Sequence, residues 1–415
     1  MTQCSTSSFD GQRVYCGFDV HKRTWDVCVR ANGCQVKAFH TDSDAGAIIA
    51  RLKAAFPGAE FHSVYEAGFC GFHAHRALCA AGFRNIVVNP ADVPTSGRER
   101  AFKSDATDCR KLARHLENGD LHGIDVPSAE LERMRSLVRR ETQVRDAATR
   151  CANQLKSSLL FHGGREVPAL LGRHALDELE TQAKASDDFE TQSLVRQLRF
   201  LREERARIVA DERALQEKLG YAEDVARLTS IPGVGYRTAT VLQAELGDVS
   251  RFPSAGHLAS YVGVSPHLNG SGDGQKAEAS GSRKKRQLHY LLVQAAWIAA
   301  GRDAALCALF GQLCRRHRKT RAIIAVARKL LLIAFAVLRR KQPYDARLLL
   351  ENHPELRKQA EGGIPPACAE AARAAECADE EDRLPVRPGG GDAAEDDAPS
   401  PAPGGRPPRP GPDEP

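Results

Sequence analysis

The chain has 415 residues, enough for two compact cores with a spacer, and its 59 Lys and Arg exceed its 53 Asp and Glu by only six. That excess is uneven: residues 1–360 carry 54 basic against 40 acidic side chains and residues 361–415 carry 5 against 13, so the body should attract phosphate backbones in a salt-sensitive way. Twelve scattered cysteines without a Cys-x-x-Cys pair exclude a zinc ribbon or disulfide framework, and the longest apolar run, residues 330–338, is too short to span a bilayer.

Residues 14–20 (Val-Tyr-Cys-Gly-Phe-Asp-Val) are rich in strand formers and place Asp19 near the end of a first strand. A similar run over 24–29 follows a turn, so the two read as a hairpin that residues 34–40 extend. An alanine-rich stretch at 45–55 reads as a helix, and the strand over 61–65 is ended by Glu66. A helix over 71–81 and a strand over 85–88, stopped by Asn89 and Pro90, complete the order β-β-β-α-β-α-β. In that order the strand before Glu66 pairs beside the first strand, bringing their carboxyl ends together. Ser104 is a good N-cap for a helix continuing to Leu116, and Asp105 and Asp108, three residues apart, share one face of it.

Converging carboxylates repel one another and raise each other's pKa unless a divalent cation neutralises them. Two such cations about 3.5–4 Å apart can activate an attacking oxygen and stabilise a leaving one in phosphodiester displacement. Magnesium or manganese suits an all-oxygen set of Asp19, Glu66, Asp105 and Asp108. Taken singly, each acid is an ordinary strand-end or helix-start group. His73 and His75 read as helix surface rather than as metal ligands.

The middle of the chain is helical. Ser128 caps a segment running to about Leu160, and a second helix covers roughly residues 187–219. Its Leu194, Leu198, Leu201, Ile208, Leu215 and Leu219 follow a four-three alternation that Arg205 and Glu212 interrupt, which reads as a short coiled coil. Such a seam pairs either with a second chain, the reading favoured here, or with the preceding helix.

Beyond it, Ile231-Pro-Gly-Val-Gly235 resembles a helix-hairpin-helix turn, in which Gly233 and Gly235 offer backbone N–H groups to a phosphate backbone. Ser271 lies in a glycine-rich stretch, with Ser280 and Ser282 nearby, and the tetrad Arg283, Lys284, Lys285 and Arg286 follows. Further basic clusters at 315–321 and 339–341 also suit phosphate positioning. The tail after about Gly362 holds 12 of the 22 prolines together with many glycines and acids, and is expected to be disordered.

Several blocks together carry a family resemblance. Phe18-Asp19-Val20-His21-Lys22, Tyr65-Glu66-Ala67-Gly68, Val88-Asn89-Pro90 and residues 103–113, which hold Asp105 and Asp108, resemble successive blocks of the DEDD-type insertion-sequence transposases, the IS one-ten family. Ile231-Pro-Gly-Val-Gly235, Glu245-Leu246-Gly247-Asp248, Tyr261-Val262-Gly263-Val264 and residues 292–296 are similar to the family's carboxy-terminal domain in order and spacing. The resemblance covers residues 13–345.

It implies an α/β RNase H-like, or RuvC-like, DEDD catalytic domain over residues 12–127. A helical coiled-coil connector over 128–222, a mainly helical transposase domain over 223–350 and a tail over 362–415 would follow. It further implies Ser271 as the nucleophile that forms a covalent link with DNA, magnesium or manganese as cofactor, and element ends and target DNA as partners. A guide RNA and a homo-oligomer, dimer or tetramer, are also implied; the scattered cysteines, read as reduced core thiols, and the short apolar runs point to no membrane partner and a cytoplasmic location. Where the family carries a glycine-asparagine turn after the serine, this chain has the basic tetrad. Two other readings stay open: a RuvC-like nuclease that uses water, and a catalytically inactive nucleic-acid-binding remnant.

Overall fold

Period-two burial builds the amino-terminal sheet. β1 (Arg13–Val20), β2 (Thr24–Ala31) and β3 (Cys34–Asp42) form an antiparallel meander, and β4 (Glu60–Glu66) and β5 (Arg84–Val88) continue parallel to β1 on its other side. The order across the sheet is β3-β2-β1-β4-β5. Parallel neighbours need crossovers. α1 (Ala45–Ala55) and α2 (His73–Ala80) supply them, and the Asp44 carboxylate caps α1 by accepting from the Gly46 and Ala47 N–H groups. This is a computed structural model, and it describes residues 9–95, 105–163, 171–264, 266–269, 276–279, 285–366, 368–370 and 372–373.

One sheet face, with Val14, Cys16, Phe18, Trp25, Val27 and Tyr65, packs on Ile48, Leu52, Ala74 and Leu78 of α1 and α2. The other is covered by α3 (Asp105–Asn118), through Leu112 on Val64 and Val88, and through Cys109 and Ala113 on Cys28. The expected order of elements is the observed one, with strand ends displaced by one or two residues. These elements form one compact unit, residues 1–129, and residues 130–415 form a second.

The second unit is mostly helical. α4 (Ala129–Phe161) and α6 (Phe189–Leu219) lie antiparallel: the Ser158 hydroxyl donates to Glu190 at 3.0 Å, the Cys151 thiol to the Leu194 carbonyl at 3.4 Å, and Arg205 pairs with Glu141 at 2.7 Å. α5 (Arg173–Ala185), absent from the sequence reading, packs on the same pair through Leu176 and Leu179.

The expectation that the leucine seam of α6 pairs with a second chain is therefore corrected. Leu198 and Val195 are buried against Cys151 and Leu155 of α4, Leu194 and Leu201 flank them, and Leu215 and Leu219 pack on the carboxy-terminal core. The physical reason is proximity: a connection of some thirty residues closes at little entropic cost, so the apolar strip is covered within the chain.

Arg205 and Glu212 interrupt that seam because they meet charge rather than apolar surface. Glu141 is ion-paired with Arg205 and, at 3.1 Å, with Arg237 of α8 (Tyr236–Leu246). Burial would raise the Glu141 carboxyl, but Arg237 and Arg205 together hold it below its ordinary value. Glu212, buried nearby, is pushed up to about 8 by burial first and then by Glu141.

An acid whose pKa rises on folding holds its proton more tightly in the native state. Its contribution to stability is complete below the unfolded value near 4.5 and is lost as pH rises through about 8. A Glu212→Gln variant should match the parent near pH 4.5 and exceed it at pH 8.5, with a flatter urea-midpoint profile between. A parent-like pH slope in the variant would exclude Glu212 as the source.

The remaining helices, the last excepted, share a single core. They are α7 (Ala222–Thr229), α8, α9 (Ala255–Val262), α10 (Arg286–Arg302), α11 (Ala304–Cys314), α12 (Lys319–Arg340), α13 (Ala346–Asn352) and α14 (Pro354–Glu361), and a hairpin of β6 (Pro266–Asn269) and β7 (Lys276–Ala279) is inserted before α10. Met134 and Val138 of α4 belong to that core, and Arg135 donates to the Ala244 and Glu245 carbonyls, so α4 satisfies the carboxyl end of α8. Among the described residues no single helix is long and apolar enough to cross a membrane. α10 and α11 reach that length only as a pair bent by 107°.

Candidate active site

Gly17 determines how closely α3 approaches the sheet. A Cβ there would overlap the Cys109 carbonyl oxygen and fall 2.6 Å from the Ala113 nitrogen, so helix backbone lies directly on strand backbone. The helix direction follows from its ends. Glu117, near the carboxyl end of α3, pairs with Arg30 at 2.7 Å and accepts from the Gly33 N–H at 2.7 Å, and Arg30 lies opposite Tyr15 in the first half of β1. α3 therefore runs opposite to β1, and its amino end lies at the carboxyl ends of β1 and β4.

That end carries the acids. Phe18 and Tyr65 are in register on the parallel strands β1 and β4 and both point into the core under α1 and α2. The residues that follow them, Asp19 and Glu66, are therefore neighbours on the opposite face, the one α3 covers. Asp108 precedes Cys109, whose carbonyl meets Gly17. Asp105 opens the same helix, and its side chain lies outside the described residues.

The local electrostatics single out one more carboxylate. Asp26 of β2 is the direct antiparallel partner of Asp19, and its carboxylate lies 3.1 Å from His40 Nδ1, while Asp19 lies 3.3 Å from His21 Nε2. Contact with Cys28 and burial push the Cys109 thiol up, and Asp26 and Asp19 add to the shift, so both carboxylates bear on the start of α3. Like charges directly opposite on paired strands destabilise a sheet, and a histidine stands against each of these two carboxylates. Sequence reading passed over Asp26 because an acid in the second strand of a hairpin carries no local signal; only the register makes it Asp19's neighbour.

Asp19, Glu66 and Asp108 thus share one end of one sheet face, but among the described residues no three His, Cys, Asp or Glu stand close enough to hold a metal ion. The chemistry of the set still fits a hard divalent cation. All four donors expected from the sequence are carboxylates, and a fifth, Asp26, flanks them.

The other expected site residues fare differently. Ser271, Ser280 and Ser282 lie outside the described residues, as do Arg283 and Lys284; Ser271 falls between β6 and β7 in sequence. Lys285 is bound to the buried Glu245 and lies 4.7 Å over the Tyr261 ring, so it ties the start of α10 to α8 and α9. Arg286 is exposed.

Gly233 adopts φ 80°, and a Cβ there would overlap the Ala295 carbonyl oxygen and fall 2.9 Å from the Ala299 nitrogen. Its first duty is close packing of the α7–α8 turn on α10. Gly235 is exposed as the N-cap of α8, and a Cβ there would meet nothing within 4 Å, so that side of the turn is open.

Comparison with known proteins gives a consistent picture. Residues 225–309 match the profile described as "Transposase IS116/IS110/IS902 family", and residues 16–162 match one described as "Transposase" of the DEDD IS110 type. The chain is 28% identical to the putative transposase y4qE of Sinorhizobium fredii, over 69% of this chain and 72% of that protein. It is 37% identical to the insertion element IS110 uncharacterized 43.6 kDa protein of Streptomyces coelicolor, over 29% of this chain and 30% of that one. The pilin gene-inverting protein of Moraxella bovis is 36% identical over 29% of this chain and 38% of its own length.

Proposed function

The chain belongs to the IS110 family of transposases, and from that premise we propose that it cleaves and rejoins DNA at the ends of an insertion element, using a carboxylate site for a divalent metal and a serine nucleophile. The observation that carries the catalytic part is the placement of Asp19 and Glu66 directly after the register pair Phe18 and Tyr65, toward the sheet face that α3 covers. The sheet order β3-β2-β1-β4-β5, with helices on both faces, supports reading residues 12–127 as the RuvC-like, RNase H-like domain. The connector over 128–222 and transposase domain over 223–350 then share one compact unit.

Asp19, Glu66, Asp105 and Asp108 would hold magnesium or manganese, which when bound neutralises charge on the phosphate and lowers the pKa of an attacking hydroxyl. In the strand-transfer step, the Ser271 hydroxyl oxygen forms a bond to a DNA phosphorus and loses its proton to a base. One backbone P–O bond breaks, and the departing strand keeps that oxygen. Attack by a strand-end hydroxyl on the serine phosphodiester reverses the step, restoring the Ser271 hydroxyl and resealing DNA. Basic side chains such as Arg286 hold the duplex by its phosphates, and a guide RNA from the element would choose the site.

The test is a denaturing gel of the protein, the element's flanking RNA, labelled element-end DNA and magnesium. We expect a protein–DNA adduct that requires the RNA and disappears in Ser271→Ala. Cleavage that persists in Ser271→Ala without an adduct would replace the serine mechanism with water attack, and binding without cleavage or adduct would mark an inactive remnant.

A further inference from the structure

The carboxy-terminal unit presents a cationic surface that the strand-transfer chemistry leaves unassigned. Arg315, Arg316, His317, Arg318 and Lys319 are all exposed where α11 passes to α12. Among the described residues no carboxylate stands within ion-pair distance of Arg315, Arg316, Arg318 or Lys319. Arg318 is also the N-cap of α12 and makes no side-chain capping bond. The positive pole of a 22-residue helix therefore coincides with a run of cations, and both favour an anion.

The last described residues of the chain lie near this place. After α14, residues 368–370 and 372–373 return to the α10–α11 corner: a Cβ on Gly301 would overlap the Ala372 side chain and fall 2.5 Å from the Cys368 carbonyl oxygen, and Ala372 is buried. The Cys368 thiol bears on both Cys307 and Cys314, one face of α11. Cys314 ends α11, and the cationic run begins with the next residue.

Immediately beyond Arg373 the sequence holds Glu376, Asp379, Glu380, Glu381 and Asp382. Residues 374–382 can extend about 30 Å. The 11-residue α11 is only about 16 Å long, so the chain length suffices to bring these acids from their anchor to the cations. We propose that Arg315, Arg316, Arg318 and Lys319 form a docking site for the acidic segment 376–382 of the same chain, which holds that surface in competition with nucleic-acid phosphate. Tethering keeps the segment at an effective concentration in the millimolar range, so a modest intrinsic affinity suffices.

The docking is tested apart from the proposed function. A fluorescent peptide of residues 374–397 is titrated by anisotropy into the full chain and into a full-length variant carrying Glu376→Gln, Asp379→Asn, Glu380→Gln, Glu381→Gln and Asp382→Asn. With its own segment neutralised, the variant should bind the peptide about tenfold more tightly at low salt. Adding Arg315→Ala, Arg316→Ala and Arg318→Ala should remove that binding. Equal affinity of both chains for the peptide, or binding that survives the arginine replacements, would overturn the docking.

A second titration with a short DNA duplex rests on the nucleic-acid reading. The neutralised tail should tighten DNA binding only while the three arginines are present. Unchanged DNA affinity alongside intact peptide docking would remove the competition and leave the docking itself standing.

Discussion

An Asp19→Asn variant is expected to lose strand cleavage by on the order of a thousandfold, about 4 kcal/mol of barrier, while binding element DNA within about twofold of the parent. The substitution is isosteric, so β1 keeps its pairing with β2 and β4 and its apolar positions Phe18 and Cys16 keep theirs. What it removes is one negative charge beside Glu66 at the amino end of α3. A cation held by carboxylates loses affinity with each charge withdrawn, and the carboxylates that remain stand on other strands, Glu66 on β4 and Asp26 on β2 against His40.

Manganese binding, followed by calorimetry or paramagnetic resonance, should weaken in parallel, which separates loss of metal from loss of fold. Asp26→Asn is the informative comparison. It removes a charge from the other side of Asp19 and should weaken the metal by a smaller factor, since Asp26 faces His40 and lies one strand farther from Glu66. Cleavage by Asp19→Asn at the parental rate would dispose of the carboxylate site.

The second large effect is steric. Gly17→Ala should destabilise the amino-terminal unit by about 2–4 kcal/mol and abolish cleavage even though no charged group changes. Both atoms that the new methyl meets, the Cys109 carbonyl oxygen and the Ala113 nitrogen, belong to the backbone of α3, so no rotamer change relieves the overlap. The helix must lift from the sheet. Leu112 then leaves Val64 and Val88, Cys109 leaves Cys28, and Asp108 moves away from Asp19 and Glu66.

Gly82→Ala provides the control. Gly82 has φ 91° but open space around its Cα, so it should cost only the strain of a left-handed alanine, roughly 1 kcal/mol, and leave cleavage intact. Urea midpoints and cleavage rates of the two variants distinguish a contact glycine from a turn glycine. Equal destabilisation would mean that α3 does not depend on the contact.

Much of the amino-terminal unit was legible before any coordinates. The alternation in residues 14–20 and 24–29 identifies strands, and the spacing of Asp105 and Asp108 places them on one face of a helix, because both periods are local properties of the backbone. The hidden parts depend on pairing. Asp26 becomes a neighbour of Asp19 only through the β1–β2 register, and Lys285, an ordinary member of a basic run in sequence, proves to be neutralised by Glu245 forty residues away.

The same division explains the connector. The four-three leucine spacing of α6 specified a helix with an apolar stripe, and it did so correctly. It could not specify whose surface covers that stripe, since a second chain and α4 offer equally apolar faces. Nor could it show that Arg205 and Glu212, which break the stripe, meet Glu141 and Arg237 in a buried charge cluster.

The sequence by itself determined the kinds of element, their order, the acids at the ends of the first and fourth strands and the charge contrast between body and tail, because period, composition and chain order are written locally. Only the tertiary structure decided that α3 lies against Gly17, that the leucine seam closes on its own chain, and which cations remain exposed at Arg315–Arg318. Those outcomes depend on which distant surfaces compete for the same apolar or charged face, and packing, not periodicity, settles that competition.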